Sequence, residues 1–298
     1  MASVKELRLR IKSVGSIKQI TRAMEMVATT KLRRFQDRAI ASRPYAEEIS
    51  TLVGNLAAVL GEDLDDQPLF RPGKGERTAL LLVSSDRGLC GPYNSNLFRE
   101  LESALRRTDD TSKIDFFVYG RKGYQYLTGS GRKIERFFVD PQLEKIDYRG
   151  AARVAVVLRE AFEAGTYSNV RVLFTAFESM ARFVPTWIDF LPIEPSSLGG
   201  DGDATEAGGS LASGDVILEP DAATIFARLV PRYLETRIYN ALIEALTSEY
   251  ASRRMSMKNA TEAAGDMQSE LKKIYNRKRQ EGITKDLLDI VGGAEALR

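Results

Sequence analysis

Asp221 to Arg298 reads DAATIFARLVPRYLETRIYNALIEALTSEYASRRMSMKNATEAAGDMQSELKKIYNRKRQEGITKDLLDIVGGAEALR. Apolar residues recur there at three- and four-residue steps: Ile238, Leu242 and Ala245; then Ala260, Ala264, Met267, Leu271 and Ile274; then Ile283, Leu287, Ile290, Ala294 and Leu297. This heptad-like stripe predicts one long helix lying against another helix. Asp221, behind Pro220, has the character of an N-cap, and Pro231 predicts a kink in the first turns. The partner helix is at the other end of the chain. Val4, Leu7, Ile11, Val14, Ile17, Ile20, Met24, Val27, Ala28, Leu32, Phe35, Ala39, Ile49, Leu52 and Leu56 make a similar stripe. Counting apolar residues alone, its register slips near Ile17 and again near Val27. Pro44 predicts a kink or the start of a new helix.

Two terminal helices enclosing a middle segment must run antiparallel, and their lengths differ. At about 1.5 Å per residue, roughly 57 residues make about 85 Å of helix and roughly 77 make about 115 Å. If both leave the middle at one level, the C-terminal helix overshoots by about 30 Å, from near Arg279 to Arg298. That overshoot still carries Ile283, Leu287, Ile290, Val291 and Leu297. A lone helix with such a stripe needs another protein around it, unless the tip folds back or frays.

The middle alternates strand and helix. Thr78–Ser84 is a continuous apolar run, as in a strand buried on both faces. Tyr93–Arg107 reads as an amphipathic helix, Ile114–Tyr119 as a strand and Arg121–Leu127 as a short helix. Ile134–Val139, the helix Tyr148–Ala164, the strand Val170–Phe177 and a returning antiparallel strand Val184–Leu191 complete an open α/β, Rossmann-like sheet. Residues 196–214 are rich in Gly, Ser and Asp and read as a surface loop. The chain therefore divides into an N-terminal coiled-coil helix (1–60), a globular α/β domain (61–220) and a C-terminal coiled-coil helix (221–298).

Composition removes most chemistry. Among 298 residues there is no His and one cysteine, Cys90. Ser-His-Asp and Cys-His arrangements, His-based metal sites and an internal disulfide are all excluded. No GxxxxGK[ST] or strand-borne GxGxxG is present, so no cofactor is expected. No apolar run is long enough to span a bilayer. Net charge is +2 but segregated: residues 1–60 hold eleven Lys/Arg against five Asp/Glu, and residues 61–220 nineteen against twenty-five. Lys31, Arg33, Arg34, Arg38 and Arg43 make a basic face on the first helix, either simply solvated or drawn to an acidic partner.

The conspicuous strand-end turn is SSDRGLCGP, Ser84–Pro92. Ligands bind at carboxyl ends of strands in open α/β sheets, which favours a site there. Cys90 without a His reads as a buried small residue, and Asp86-Arg87 as an ion pair or turn lock. In the last helix Arg253, Arg254, Lys258, Arg277, Lys278, Arg279, Gln280 and Thr284 are either solvated or turned toward a sheathing partner.

Four motifs, taken together, resemble the gamma subunit of F-type ATP synthases: Ile17-Lys-Gln-Ile-Thr-Arg-Ala-Met-Glu-Met-Val-Ala28, Asp86-Arg-Gly-Leu-Cys-Gly91, Met257-Lys-Asn-Ala-Thr261 and Ile283-Thr-Lys-Asp-Leu-Leu-Asp-Ile-Val291. The resemblance implies a non-catalytic rotor shaft. Its coiled coil would stand inside three alpha and three beta subunits, with the α/β domain on the c-subunit ring beside epsilon, and delta in the same complex. Proton flow would turn it and drive the beta-subunit sites that make ATP from ADP and phosphate. It also implies a peripheral place on the cytoplasmic face of the bacterial inner membrane. Rotor–stator contacts carried over by motif are Met24, Arg253 (with Arg254 beside it), Gln280, Thr284 and Asp289, the last where many members have Glu. Pro92 and the 199–214 loop depart from the family pattern. Two other readings stand beside this one: a nucleotide-binding α/β enzyme with coiled-coil oligomerisation arms, and a tether or nucleic-acid binder using the 31–43 patch.

Overall fold

The computed structural model describes residues 3–61, 64, 67–108, 110–180, 182–195, 198 and 219–296, apart from the side chains of 289 and 292–296. The loop expected at 196–214 lies almost wholly outside these residues. The elements are α1 (Val4–Leu60), β1 (Arg77–Val83), α2 (Tyr93–Arg107), β2 (Ile114–Tyr119), α3 (Arg121–Gly129), β3 (Ile134–Phe138), α4 (Tyr148–Glu163), β4 (Tyr167–Phe177), β5 (Phe183–Leu191) and α5 (Ala222–Ala296). The chain divides into two compact units, one of residues 1–30 with 253–298 and one of residues 31–252.

In the first unit α1 and α5 run antiparallel. Thr261 Oγ1 donates to Thr21 Oγ1 at 2.8 Å. A Cβ on Gly15 would meet Gln268 Nε2 at 2.8 Å, and one on Gly265 would meet Lys18 Nζ at 3.0 Å, so the backbones approach closely at both glycines. This register puts Val4 level with about Arg279. The helices differ from the expected stripe in one respect. The buried and half-buried positions of α1 follow an unbroken heptad through Leu7, Ile11, Val14, Lys18, Thr21, Glu25 and Ala28. There is no register slip. Ile17, Ile20 and Val27 instead stand off the seam, 50%, 58% and 54% exposed. On α5 the seam runs Met257, Thr261, Ala264, Gln268, Leu271, Tyr275 and Lys278, with Met267 and Ile274 turned out.

The second unit holds a five-stranded sheet of order β3-β2-β1-β4-β5. β1 to β4 are parallel neighbours and β5 pairs antiparallel to β4, as the apolar runs predict. Leu80, Leu82, Phe116, Val118 and Leu173 bury one sheet face under Leu97, Leu101 and Leu105 of α2 and Leu127 of α3. Residues of opposite parity, Leu81, Val83, Phe117 and Tyr119, are buried too, so both faces are covered. Asp221 caps α5, its Oδ1 accepting from the Thr224 amide at 2.7 Å. Neither Pro44 nor Pro231 ends its helix. The carbonyls they leave without a helical donor belong to Ile40 and Ala227, both exposed residues.

At the amino end of the sheet Asp115 is buried and takes two bonds from Arg77, from Nε at 2.7 Å and Nη2 at 2.5 Å. Those bonds, partly opposed by burial, hold its carboxyl below the ordinary Asp range. Asp115→Asn is expected to cost about 2 kcal/mol of stability at neutral pH, less than for a fully buried pair because Arg77 reaches solvent. A depressed carboxylate stabilises above its unfolded pKa, so the wild-type advantage should vanish as pH falls below about 4. Thermal melts of both chains across that pH range check it.

Candidate functional site

The turn at the end of β1 is the first place to test for a ligand site, since β1 and β4 flank the point where the strand order reverses. Its polar groups are already used. Ser84 Oγ accepts from the Gly123 amide at 2.7 Å. Asp86 accepts from the Arg121 amide at 3.1 Å and the Leu143 amide at 3.3 Å, the turn lock expected of it. The Ser85 amide donates to Asn94 Oδ1, and Asn94 Nδ2 donates to Ser85 Oγ at 2.7 Å and approaches Cys90 Sγ at 3.3 Å. Cys90 is buried, as a small apolar residue would be. Ser252 of α5 donates to the Cys90 carbonyl at 2.6 Å. The cavity left among Asp86, Arg87, Leu143, Glu144, Glu249 and Tyr250 is about 20 Å³, room for one water. The chain's own helix thus fills the crevice where an α/β enzyme would seat a nucleotide. Among the described residues no His/Cys/Asp/Glu group has metal-binding geometry.

The basic residues of the first helix are not one solvent-facing set. Lys31 pairs with Glu144 and lies 5.5 Å from the Tyr250 ring centroid. Arg38 Nη2 donates to the Ile146 carbonyl at 2.7 Å and lies 6.0 Å from the Tyr239 ring. Arg33 and Arg34 are exposed. The reason is helical spacing: residues 31 and 38 are two turns apart on one face, and 33 and 34 point elsewhere.

Of the carried-over contact residues, Met24 is half-buried, and Gln280 and Thr284 are exposed on the part of α5 beyond Lys278. The Asp289 side chain lies outside the described residues. Arg253 is buried at 7% exposure and engaged within the chain, while Arg254 beside it is half-buried.

Among its exposed charged residues the first unit also offers large apolar side chains to solvent. On α1 these include Leu9, Ile17, Ile20, Met26 and Val27; on α5 they include Met255, Met267, Ile274, Ile283, Leu287, Leu288, Ile290 and Val291, all 42–72% exposed. Ile17, Ile20, Met24 and Val27 follow steps of three, four and three, so they form a second stripe beside the seam. The α5 seam ends at Lys278, and from residue 279 to 288 every position is exposed. Apolar counting missed the division of α1 into two faces. The seven-residue spacing of Leu7, Val14, Thr21, Ala28 and Phe35 is the signal that finds it.

Comparison with known proteins agrees. The ATP synthase family model matches residues 3–297. The ATP synthase gamma chain of Desulfosudis oleivorans is 39% identical over 303 residues, the whole of both chains. That of Cytophaga hutchinsonii is 37% identical over 302 residues, covering 100% of this chain and 99% of its own. The fold is shared with the rotor of the Euglena gracilis mitochondrial ATP synthase, with TM-score 0.66 and 18% identity over 94% of this chain and 98% of that one. A chain of the Tetrahymena thermophila mitochondrial ATP synthase central stalk and c-ring gives 0.59 and 22% over 81% and 99%. With a match to the family model along almost its whole length and full-length relatives well above 30% identity, the chain belongs to the ATP synthase gamma chain family.

Proposed function

We propose that the chain is the central rotor shaft of a proton-translocating ATP synthase, with the chemistry on partner subunits. The carrying observation is the outward apolar surface of the helix pair together with the unpaired turns after Lys278. A shaft inside three alpha and three beta subunits has its surface covered by them, whereas a free protein would leave it in water. The filled crevice beside the Ser84–Pro92 turn supports a non-catalytic role and disfavours the nucleotide-enzyme reading. Torque would pass between the α/β domain (61–220), seated on the c-subunit ring with epsilon and with delta elsewhere in the complex, and the helices 1–60 and 221–298. Met24, Gln280, Thr284 and Asp289 are assigned to stator contact, and Arg253 to bracing from within the chain. No described helix is long and apolar enough to cross a membrane, so association with the cytoplasmic face of the inner membrane would be peripheral.

Rotation couples to the beta sites only if the shaft interacts unequally with their states. Arg33 and Arg34, exposed on α1, are the basic groups available for that. The double variant Arg33→Glu, Arg34→Glu is expected to lower ATP-driven proton pumping in reconstituted vesicles several-fold while leaving the melting temperature of the isolated chain within about 2 °C. Arg38→Glu should instead destabilise the chain, because it breaks the bond to Ile146. Unchanged pumping by the double variant counts against an electrostatic stator contact on this face.

A further inference from the structure

We propose, resting on the shaft reading, that Glu144 is a latch fixing the sheet domain against slip around the two helices. It lies on the turn Leu143–Lys145 between β3 and α4, held in the sheet domain by buried Leu143 and Ile146 and by the Leu143 amide bond to Asp86. One carboxylate oxygen pairs with Lys31 of α1, and the other accepts from the Tyr250 hydroxyl of α5 at 2.7 Å. A single side chain therefore bonds both helices. The Tyr250 ring also packs on Phe35 of α1, centroids 5.4 Å apart.

Two further bonds brace the latch. Arg38 of α1 reaches the Ile146 carbonyl, two turns or about 10 Å along the helix from Lys31. Ser252 of α5 bonds the Cys90 carbonyl in the Ser84–Pro92 turn, whose Asp86 holds the Leu143 amide. The physical distinction is directionality. The hydrophobic driving force is non-directional, whereas charge-assisted hydrogen bonds have a preferred distance and angle. Under torque the bonded contacts add a fixed register to the resistance that packing supplies. Burial alone would raise the Glu144 carboxyl, but the bonds from Lys31 and Tyr250 outweigh it and hold the carboxyl below its ordinary range, so it is ionised at working pH.

The test uses the assembled complex in vesicles and reads protons pumped per ATP hydrolysed. Glu144→Ala and Lys31→Ala are each expected to lower that ratio at least threefold while hydrolysis continues. The charge swap Lys31→Glu, Glu144→Lys should restore part of it. Glu144→Gln and Tyr250→Phe, which keep volume, should lower the ratio less and guard against loss of folding. Melting of each isolated variant gives the structural control. Lower melting temperatures with a wild-type pumping ratio in every variant would overturn the latch. A wild-type chain that supports no pumping would overturn the shaft reading and the latch with it.

Discussion

Alanine at position 120 is expected to prevent the α/β domain from folding normally. Gly120 joins β2 to α3 with φ at +101°, a conformation that side chains rarely adopt, and a Cβ there would lie 2.1 Å from the Ser84 carbonyl oxygen at the end of β1. The clash is with backbone of the neighbouring strand, so no rotamer change relieves it. The expected cost is about 4 kcal/mol or more, in the range reached only by a few mechanisms. That corresponds to a fall in melting temperature of about 10 °C, or to loss of soluble chain. Gly129→Ala is the control: nothing lies within 4 Å of its Cβ position, and it should be neutral or slightly stabilising. Melts of the two purified variants beside wild type decide it; a Gly120→Ala chain melting with wild type would show that the β2–α3 corner is not as described.

Deletion of residues 279–298 is expected to produce the opposite pattern. Ile283, Leu287, Leu288, Ile290 and Val291 are 53–72% exposed in the single chain, so their removal takes nothing from its packing. The Lys278–Glu281 pair across the cut is a surface contact of little value. The isolated chain should therefore melt within about 2 °C of wild type. Assembly should suffer much more. Even at about 1 kcal/mol per side chain, burying five of them in a partner supplies several kcal/mol, and each 1.4 kcal/mol is a factor of ten in affinity. Recovery of complex with alpha and beta subunits should fall more than tenfold. Wild-type recovery with the truncated chain would mean that the partners do not hold this segment.

Where local chemistry decides, the fold was legible in the sequence. The helix Tyr93–Arg107 follows a 3.6-residue apolar pattern, and the strand Ile114–Tyr119 is a short apolar run rich in aromatic and β-branched residues that ends at Gly120. The Asp221 cap and the antiparallel return of β5 were likewise readable. The helix seam was misread because Ile17, Ile20 and Val27 look like core residues, whereas the true seam carries Lys18, Thr21 and Glu25. An apolar residue marks a face that wants cover, but it does not say whether the cover comes from the same chain. The roles of Lys31 and Arg38 were hidden for another reason. Their partners Glu144 and Ile146 are more than a hundred positions away, and no local spacing announces such contacts. Of the candidate contact residues, Gln280 and Thr284 are exposed, and Arg253 is buried within its own chain.

The most direct measurement is the copy number of this chain in complexes purified after co-expression with candidate alpha and beta subunits. A central rotor shaft is present as one copy for every three alpha and three beta, with nucleotide turnover found only in the complex. A chain that purifies alone and hydrolyses ATP, or that enters the complex in several copies, would contradict that role.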